Sequence, residues 1–459
     1  MKCLIRFLLS PFTIITMITA VGTASLMGTI IPQISEKTPH FFVAWQAASP
    51  LKYALIRFLQ LDRIYTSVWF LALIALITCS LSCSLYYQIK RALRARQLSP
   101  GSKMGSKPGS SCRAQVTENT LRRVMRQRGY RPFAAGSSSG NLVFSKNKVG
   151  LWGGVVFHLG LLCIILAGLW NAGLRQRGLA ILTVGESFSG QTNKWANTRT
   201  GMLTGPFTPK LTAHLDEFQP GYWHNGQIKA LRGKVTVVEP DGKNTVVPIS
   251  VNHPGYIDGI KLFLSGDYGY TLDLLLNGRS PRPILSHILL AAPARRDKAV
   301  SYDMTIPTTA YRLHINFHPG RGNPAINLTS SSVGLTVNAP EAPPLRTILL
   351  PGQSIILPLG DTLTFNRVSY WAGIIFARSY GISLLYAGFG LCITGAFLMY
   401  MLPMKTAYIQ ICSVRPDQQR GSRPLQQISI SGRTRRYQAL FSQELQEIAA
   451  ELQETASIS

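Results

Sequence analysis

His158 sits in the run Gly150-Leu151-Trp152-Gly153-Gly154-Val155-Val156-Phe157-His158-Leu159-Gly160, inside an apolar stretch from Val149 to Ala172. An ionisable side chain near the middle of a membrane helix is costly, and it marks a functional hypothesis by default. Gly154 comes one helical turn before His158 and Gly150 one turn earlier again, on the same face, and Leu161, Leu162 and Ile165 continue that face apolar. Together they predict a flat hollow beside an imidazole, with Gly154 as packing surface. This is the shape and polarity that a porphyrin needs when one axial nitrogen ligates its iron. In the competing reading, Gly150 and Gly154 form a small-xxx-small helix contact and His158 donates a hydrogen bond across it. Spacing leaves both open. One histidine cannot complete a six-coordinate haem, and the other apolar stretches hold none; a second ligand would come from another chain.

The remaining histidines are His40, His214, His224, His253, His287, His314 and His318. None is paired with cysteines at zinc-ligand spacing. His314 and His318 fall in a strand-like run, where a separation of four does not set side chains side by side. Surface or turn positions are expected for all of them. No phosphate loop, nucleophile elbow or pair of carboxylates is visible, so no self-contained active site is expected. The cysteines are Cys3, Cys79, Cys83, Cys112, Cys163, Cys392 and Cys412, and none falls between 173 and 379. That segment must be held by its own core rather than by disulfides. Cys79 and Cys83, one turn apart, could bind metal or exchange thiols, but packing within an apolar helix is the blander reading.

These residues need elements to hold them, and hydropathy supplies the framework. In 459 residues, 46% are hydrophobic and only 15% charged, and about twenty apolar residues span a hydrocarbon core roughly 30 Å thick. Four windows qualify: 7–31, 67–89, 149–172 and 380–402. The first follows Lys2 and Arg6, is too long for a cleavable signal and is stopped by Pro32. The net charge of +27 gathers beside these windows: Lys90 to Lys148 carries fourteen basic residues against the single acid Glu118, and Arg415, Arg420, Arg423, Arg433, Arg435 and Arg436 follow the last window. Basic flanks stay on the cytoplasmic side, which places 1–6, 90–148 and 403–459 inside and 32–66 and 173–379 outside. Topology thus accounts for the charge. A cationic helix of Arg122, Arg123, Arg126 and Arg128 could lie against anionic headgroups, whereas nucleic acid is not expected without interleaved aromatics.

Between the first two windows, Tyr53, Ile56, Leu59 and Leu61 predict an amphipathic surface helix suited to a partner contact. Leu98 to Ser111 reads as a flexible connector rich in Ser, Gly, Pro and Lys. Within 173–379, the runs Leu211–Phe218, Lys234–Glu239, Val246–Val251, Gly269–Leu276, Tyr311–Phe317 and Thr362–Val368 are separated by turns such as Pro240-Asp241-Gly242. They predict a sandwich or an open barrel. From Tyr437 to Gln453, Leu440, Leu445, Ile448, Ala449 and Leu452 share a helical face and predict a cytoplasmic contact helix. The expected fold class is a membrane α-helical protein of about four transmembrane helices with a large, mainly-β extracytoplasmic domain.

Several short motifs, in order along most of the chain, resemble the ResB/CcsB family of system II cytochrome c biogenesis. Gly28-Thr29-Ile30-Ile31-Pro32-Gln33 is similar to that family's Gly-Thr-x-x-Pro-Gln exit from its first helix, and Tyr65-Thr66-Ser67-Val68-Trp69-Phe70, followed by Cys83, to the opening of its second. His158 matches its membrane histidine. Val251-Asn252-His253-Pro254, Asp258-Gly259 and Gly266-Asp267-Tyr268-Gly269 resemble a block of its outer domain, and Ile430-Ser431-Gly432-Arg433 its tail. Phe263-Leu264-Ser265 departs from it, standing where a Tyr-Gln pair is expected. The resemblance implies a subunit of a holocytochrome c synthase complex in the bacterial inner membrane, with a periplasmic domain. It would work with a CcsA-type haem-handling partner, apocytochrome c and a thiol-reducing thioredoxin-like protein. It also implies that His158 is one axial ligand to the iron of haem b, that the partner gives the other, and that haem is relayed outward for attachment to the Cys-x-x-Cys-His thiols of apocytochrome c. No Trp-Trp-Asp haem-handling segment is present in this chain. A scaffold that captures apocytochrome c or its reductant while the partner alone binds haem is the alternative, and a sensor or transporter unrelated to haem is the third.

Overall fold

The computed structural model describes residues 2–34, 39–97, 111–113, 118–132, 141–278, 282–293, 295, 298–320, 328, 330–413 and 426–458. The connector expected from Leu98 falls outside these residues up to 110. Two compact units divide the chain, one made of 1–168 with 381–459 and the other of 169–380.

The helices, in chain order, are α1 (Lys2–Leu8), α2 (Pro11–Ile30), α3 (Pro39–Ala48), α4 (Pro50–Phe58), α5 (Val68–Gln97), α6 (Glu118–Gln127), α7 (Gly153–Leu174), α8 (Ile382–Tyr400) and α9 (Gln438–Ile458). Four of them, α2, α5, α7 and α8, are long and apolar enough to cross a membrane. The first expected window is broken, with α1 ending at Leu8 and α2 starting at Pro11. Proline has no N–H to give and is tolerated only in a helix's first turn, so the chain restarts there. At the other extreme, α5 outruns its window to Gln97, because Lys90-Arg91-Ala92-Leu93-Arg94 are good helix formers although too charged for lipid. A short 3₁₀ turn over Lys148–Trp152 leads into α7.

Side chains of the two helix-end motifs tie α2 to α5. Gln33, only 6% exposed, donates to the carbonyls of Ile31 and Leu61, and its Oε1 accepts from the Ile64 N–H at 3.2 Å. A Cβ on Gly28 would lie 2.9 Å from the Tyr65 ring, so glycine makes the room in which Tyr65 donates to the Ser25 carbonyl. Ser67 accepts from the Phe70 N–H at 3.3 Å and starts α5.

Glycines set α7 against α8. A Cβ on Gly153 would stand 2.6 Å from Met399 N, one on Gly160 2.7 Å from Cys392 N, and one on Gly395 2.4 Å from Phe157 N. Backbone meets backbone along this seam, as small residues allow where no hydrophobic drive separates helix from lipid.

The same unit holds a sheet–helix domain built from two distant stretches of chain. Its five strands run in the order Ser111–Arg113, Gln426–Thr434, Lys405–Ser413, Asn141–Lys146, Arg131–Pro132. α6 and α9 pack their apolar faces on it, burying Leu121, Val124 and Met125 from one and Phe441, Leu445, Ile448 and Leu452 from the other against Phe144, Ile409 and Ile430. Gly432 allows this, since a Cβ there would sit 2.6 Å from the Phe441 ring.

The second unit is mainly β. A long antiparallel pair, Ile260–Asn277 with Thr362–Arg378, centres a seven-stranded sheet. Gln176–Thr183, then Asn197–Thr200, extend it on one side; Gly255–Ile257 and Ile284–Ala291 pair with different halves of Ile260–Asn277, and Ser354–Ile356 pairs with Thr362–Arg378. Two four-stranded antiparallel sheets complete it: Val300–Thr305, Arg312–His318, Ser332–Asn338, Leu345–Leu349, and Ser187–Phe188, Thr212–Tyr222, Ile228–Val238, Asn244–Ser250. All three contribute to one core, through residues such as Leu215, Val235, Leu272, Ile315, Leu335 and Phe365. Each of the six runs read as strands overlaps one of these strands, and a membrane α-helical part joined to a β-rich domain is what the chain forms.

Candidate functional site

His158 is half-buried on α7 and turned towards α5. Its Nδ1 lies 2.8 Å from the carbonyl oxygen of Gly154, one turn back, and its Nε2 lies 3.0 Å from Nε2 of Gln88 on α5. A carbonyl can only accept, so in the neutral ring Nδ1 carries the proton and Nε2 presents its lone pair. The Gln88 amide N–H then donates to that lone pair, and the other amide hydrogen reaches Ser84 Oγ at 3.2 Å. A relay results: Ser84, Gln88, His158, Gly154.

The face on which Gly150, Gly154 and His158 are expected to gather is divided between two neighbours. Gly150 belongs to the α8 side, where its Cβ would meet the Leu402 carbonyl at 1.8 Å, whereas a Cβ on Gly154 would meet Gln88 Oε1 at 2.4 Å. The 3₁₀ turn that contains Gly150 shifts it out of line with the helix that follows. Gly150 and Gly154 therefore share no single helix contact, and the space beside the imidazole holds the Gln88 amide. The direction of the hydrogen bond differs, because His158 accepts across the helix pair instead of donating. For an axial ligand the donor chemistry fits, since Nδ1 bonded to a backbone carbonyl is the usual arrangement that leaves Nε2 basic for a metal. Gln88 was not legible as a site residue; the available signal was an amide side chain near the end of an otherwise apolar window.

Cys79 and Cys83 are free thiols on α5, Cys79 exposed. In the β domain, His287 Nδ1 and Arg367 Nε grip the two oxygens of the buried Asp273 at 2.7 and 2.6 Å across neighbouring strands. His314 meets Asp303 at 2.6 Å and His214 meets Ser187 Oγ at 2.9 Å, both on the surface. Among the described residues no three His, Cys, Asp or Glu side chains converge as metal ligands would. The β-domain motifs shape backbone: Asp258 and Gly259 take φ of +46° and +69° in the two-residue turn between Ile257 and Ile260. Gly269 leaves room for the Leu290 carbonyl, which also accepts from Trp371 Nε1 at 2.9 Å. Ser265, at the departing position, closes the adjacent bulge by accepting from the Asp267 N–H at 3.1 Å.

The sheet–helix domain gathers a charged cluster around Glu444. Burial alone would raise the Glu444 carboxyl, but Lys405 and Lys146 overcome it and hold it below its ordinary range. Burial, reinforced by Glu444, pushes the Tyr130 hydroxyl well up. Of the four arginines expected to face headgroups, Arg122 pairs with Glu118 within α6 and Arg128 with Glu447 and Glu451 of α9. The Arg128 pairs link the end of α6 to α9, and all of these pairs reduce the charge left for lipid.

Against known proteins, the profile of the ResB-like family matches residues 12–446. A cytochrome c biogenesis protein CcsB of Gloeobacter violaceus is 25% identical over 95% of this chain and 88% of its own length. Proteins of the same name from Synechococcus are similarly distant: that of strain JA-3-3Ab is 26% identical over 83% of this chain and 78% of its own, and that of strain CC9902 25% identical over 87% and 89%.

Proposed function

The chain belongs to the ResB-like family, and from that premise we propose that it is a subunit of a membrane cytochrome c synthase complex that relays haem and supports its attachment to apocytochrome c. The observation that carries this reading is the state of His158: Nδ1 spends its proton on Gly154, and the basic Nε2 faces α5 within a membrane-length helix. Haem, when bound, supplies iron for Nε2 to ligate and the vinyl groups that the apocytochrome thiols join. His158 and its carbonyl partner hold the ligating nitrogen in one tautomer; Gly154 keeps the space in front of it free of a Cβ. A CcsA-type partner would supply the other ligand to the iron, and the β domain would receive apocytochrome c or its thioredoxin-like reductant on the outer face of the inner membrane. The termini and the sheet–helix domain lie in the cytoplasm.

The closed relay favours one competing reading. With both imidazole nitrogens hydrogen-bonded within the chain, His158 would serve to tie α5 to α7, and the chain would be a scaffold while the partner alone binds haem. Complementation separates the two. In a strain lacking this chain, wild type restores haem-stained c-type cytochromes, and His158→Ala, present in the membrane at wild-type level, restores less than a tenth as much. Full restoration by His158→Ala would support the scaffold, and normal cytochromes c in the deletion strain would reject both.

A further inference from the structure

The relay that satisfies His158 also occupies the atom that the proposed function needs. Nε2 has one lone pair, and the Gln88 N–H already holds it at 3.0 Å. Gln88 also fills the space that Gly154 leaves open, where even a methyl group would come within 2.4 Å of its Oε1. The second hydrogen of the same amide nitrogen is bonded to Ser84, on its own helix one turn away. Releasing Gln88 therefore requires no change of backbone, since rotation about its side-chain bonds takes it off the imidazole while the Nδ1 to Gly154 bond keeps the ring and its tautomer in place.

We propose that Gln88 is a gate on the haem-ligating nitrogen, a positioning residue that caps Nε2 of His158 until iron displaces it. This rests on the reading of His158 as an axial ligand. In the exchange, the Gln88 N–H···Nε2 hydrogen bond breaks and the Nε2–iron bond forms; no proton leaves the imidazole, because it already resides on Nδ1. The cap serves two ends. It satisfies a polar nitrogen in an apolar setting while the site is empty, and it weakens haem binding by the strength of the bond that must be broken, which suits a chain that passes haem on instead of keeping it.

Two substitutions at the same position move in opposite directions. Gln88→Met keeps the length and removes the N–H, so haem b added to the complex purified with its partner binds about three- to tenfold more tightly and faster, a factor set by one net hydrogen bond. Gln88→Glu puts a carboxylate, which can only accept, against Nε2; it draws the ring N–H to that nitrogen, covers the lone pair and weakens binding. A merely structural Gln88 would lose haem affinity in both variants, and that result, or unchanged affinity in both, overturns the proposal. A haem-free readout separates this from failure of the underlying reading. Carbethoxylation of His158, followed by peptide mass spectrometry, is several-fold faster in Gln88→Met than in wild type if the amide caps Nε2, whether or not His158 ever binds haem. Equal rates overturn the cap, whereas faster modification together with a haem spectrum indifferent to His158→Ala rejects the ligand assignment on which the gate rests.

Discussion

At the residue scale, the sequence points to His158 because a basic ring in an apolar helix is rare and costly, but not to what the ring touches. Gln88 lies seventy positions away in the chain, and no periodicity links the two helices that bring it alongside. The same limit applies to Glu444, an unremarked acid in a tail helix that collects Lys146, Lys405 and the Tyr130 hydroxyl. Its carboxyl is held below its ordinary 4.5 in the folded state, so the stabilisation is complete above about pH 4.5 and is lost as pH falls through the depressed value. Glu444→Gln is expected to cost about 2 kcal/mol at neutral pH, since two ammonium groups lose their charged acceptor. It should also flatten acid unfolding of the sheet–helix domain, as followed by its susceptibility to pepsin below pH 4.5. Equal acid sensitivity in the two proteins would remove Glu444 from this role.

Elements were the most legible level. Apolar length exposes helices that can cross a membrane because lipid thickness sets their size, and alternation with Gly and Pro exposes strands because turns need those residues. The break before Pro11, the charged extension of α5 and the seam between α7 and α8 were not read. The first two are local rules that hydropathy overrides, and the third depends on which glycines face a neighbour. The structure separates these: Gly153 and Gly160 touch α8 backbone, while Gly168 on the same helix has nothing within 4 Å of a Cβ. Gly153→Leu should therefore lower the melting temperature of the detergent-solubilised protein by several degrees and reduce its yield, with Gly168→Leu close to wild type. Equal tolerance at both sites would mean that the seam is not a packed contact. In the β domain the stricter position is Gly269, where Gly269→Ala pushes a methyl group into the Leu290 carbonyl and should abolish accumulation of the folded chain.

At the scale of the whole molecule, the largest departure from the linear reading is that the basic loop and the tail are two halves of one folded domain. Lys405–Ser413 pairs with Asn141–Lys146 across more than half of the chain, a long-range match that turn and period signals do not carry. Two segments that share one sheet must lie on one side of any membrane that the intervening helices cross. A cysteine placed at Ser442, exposed in α9, should be labelled by an impermeant maleimide only after cells are opened, and one at Ser301, exposed in the β domain, in intact cells; the reverse pattern would invert the proposed orientation. Residues 164–391 contain no cysteine, which suits the proposed meeting of this surface with apocytochrome thiols, because an accessible thiol there would trap them as mixed disulfides. The Ser301→Cys chain should accordingly lower cytochrome c yield, and an unchanged yield with no mixed disulfide would count against that contact. The proposed haem site takes a ligand from a second chain, so the most direct measurement is the reduced-minus-oxidised spectrum of the complex purified with the proposed CcsA-type partner, wild type beside His158→Ala. A b-type haem signal that weakens or vanishes in the variant and partly returns with added imidazole is the result expected of an axial ligand; an identical spectrum in both would contradict it.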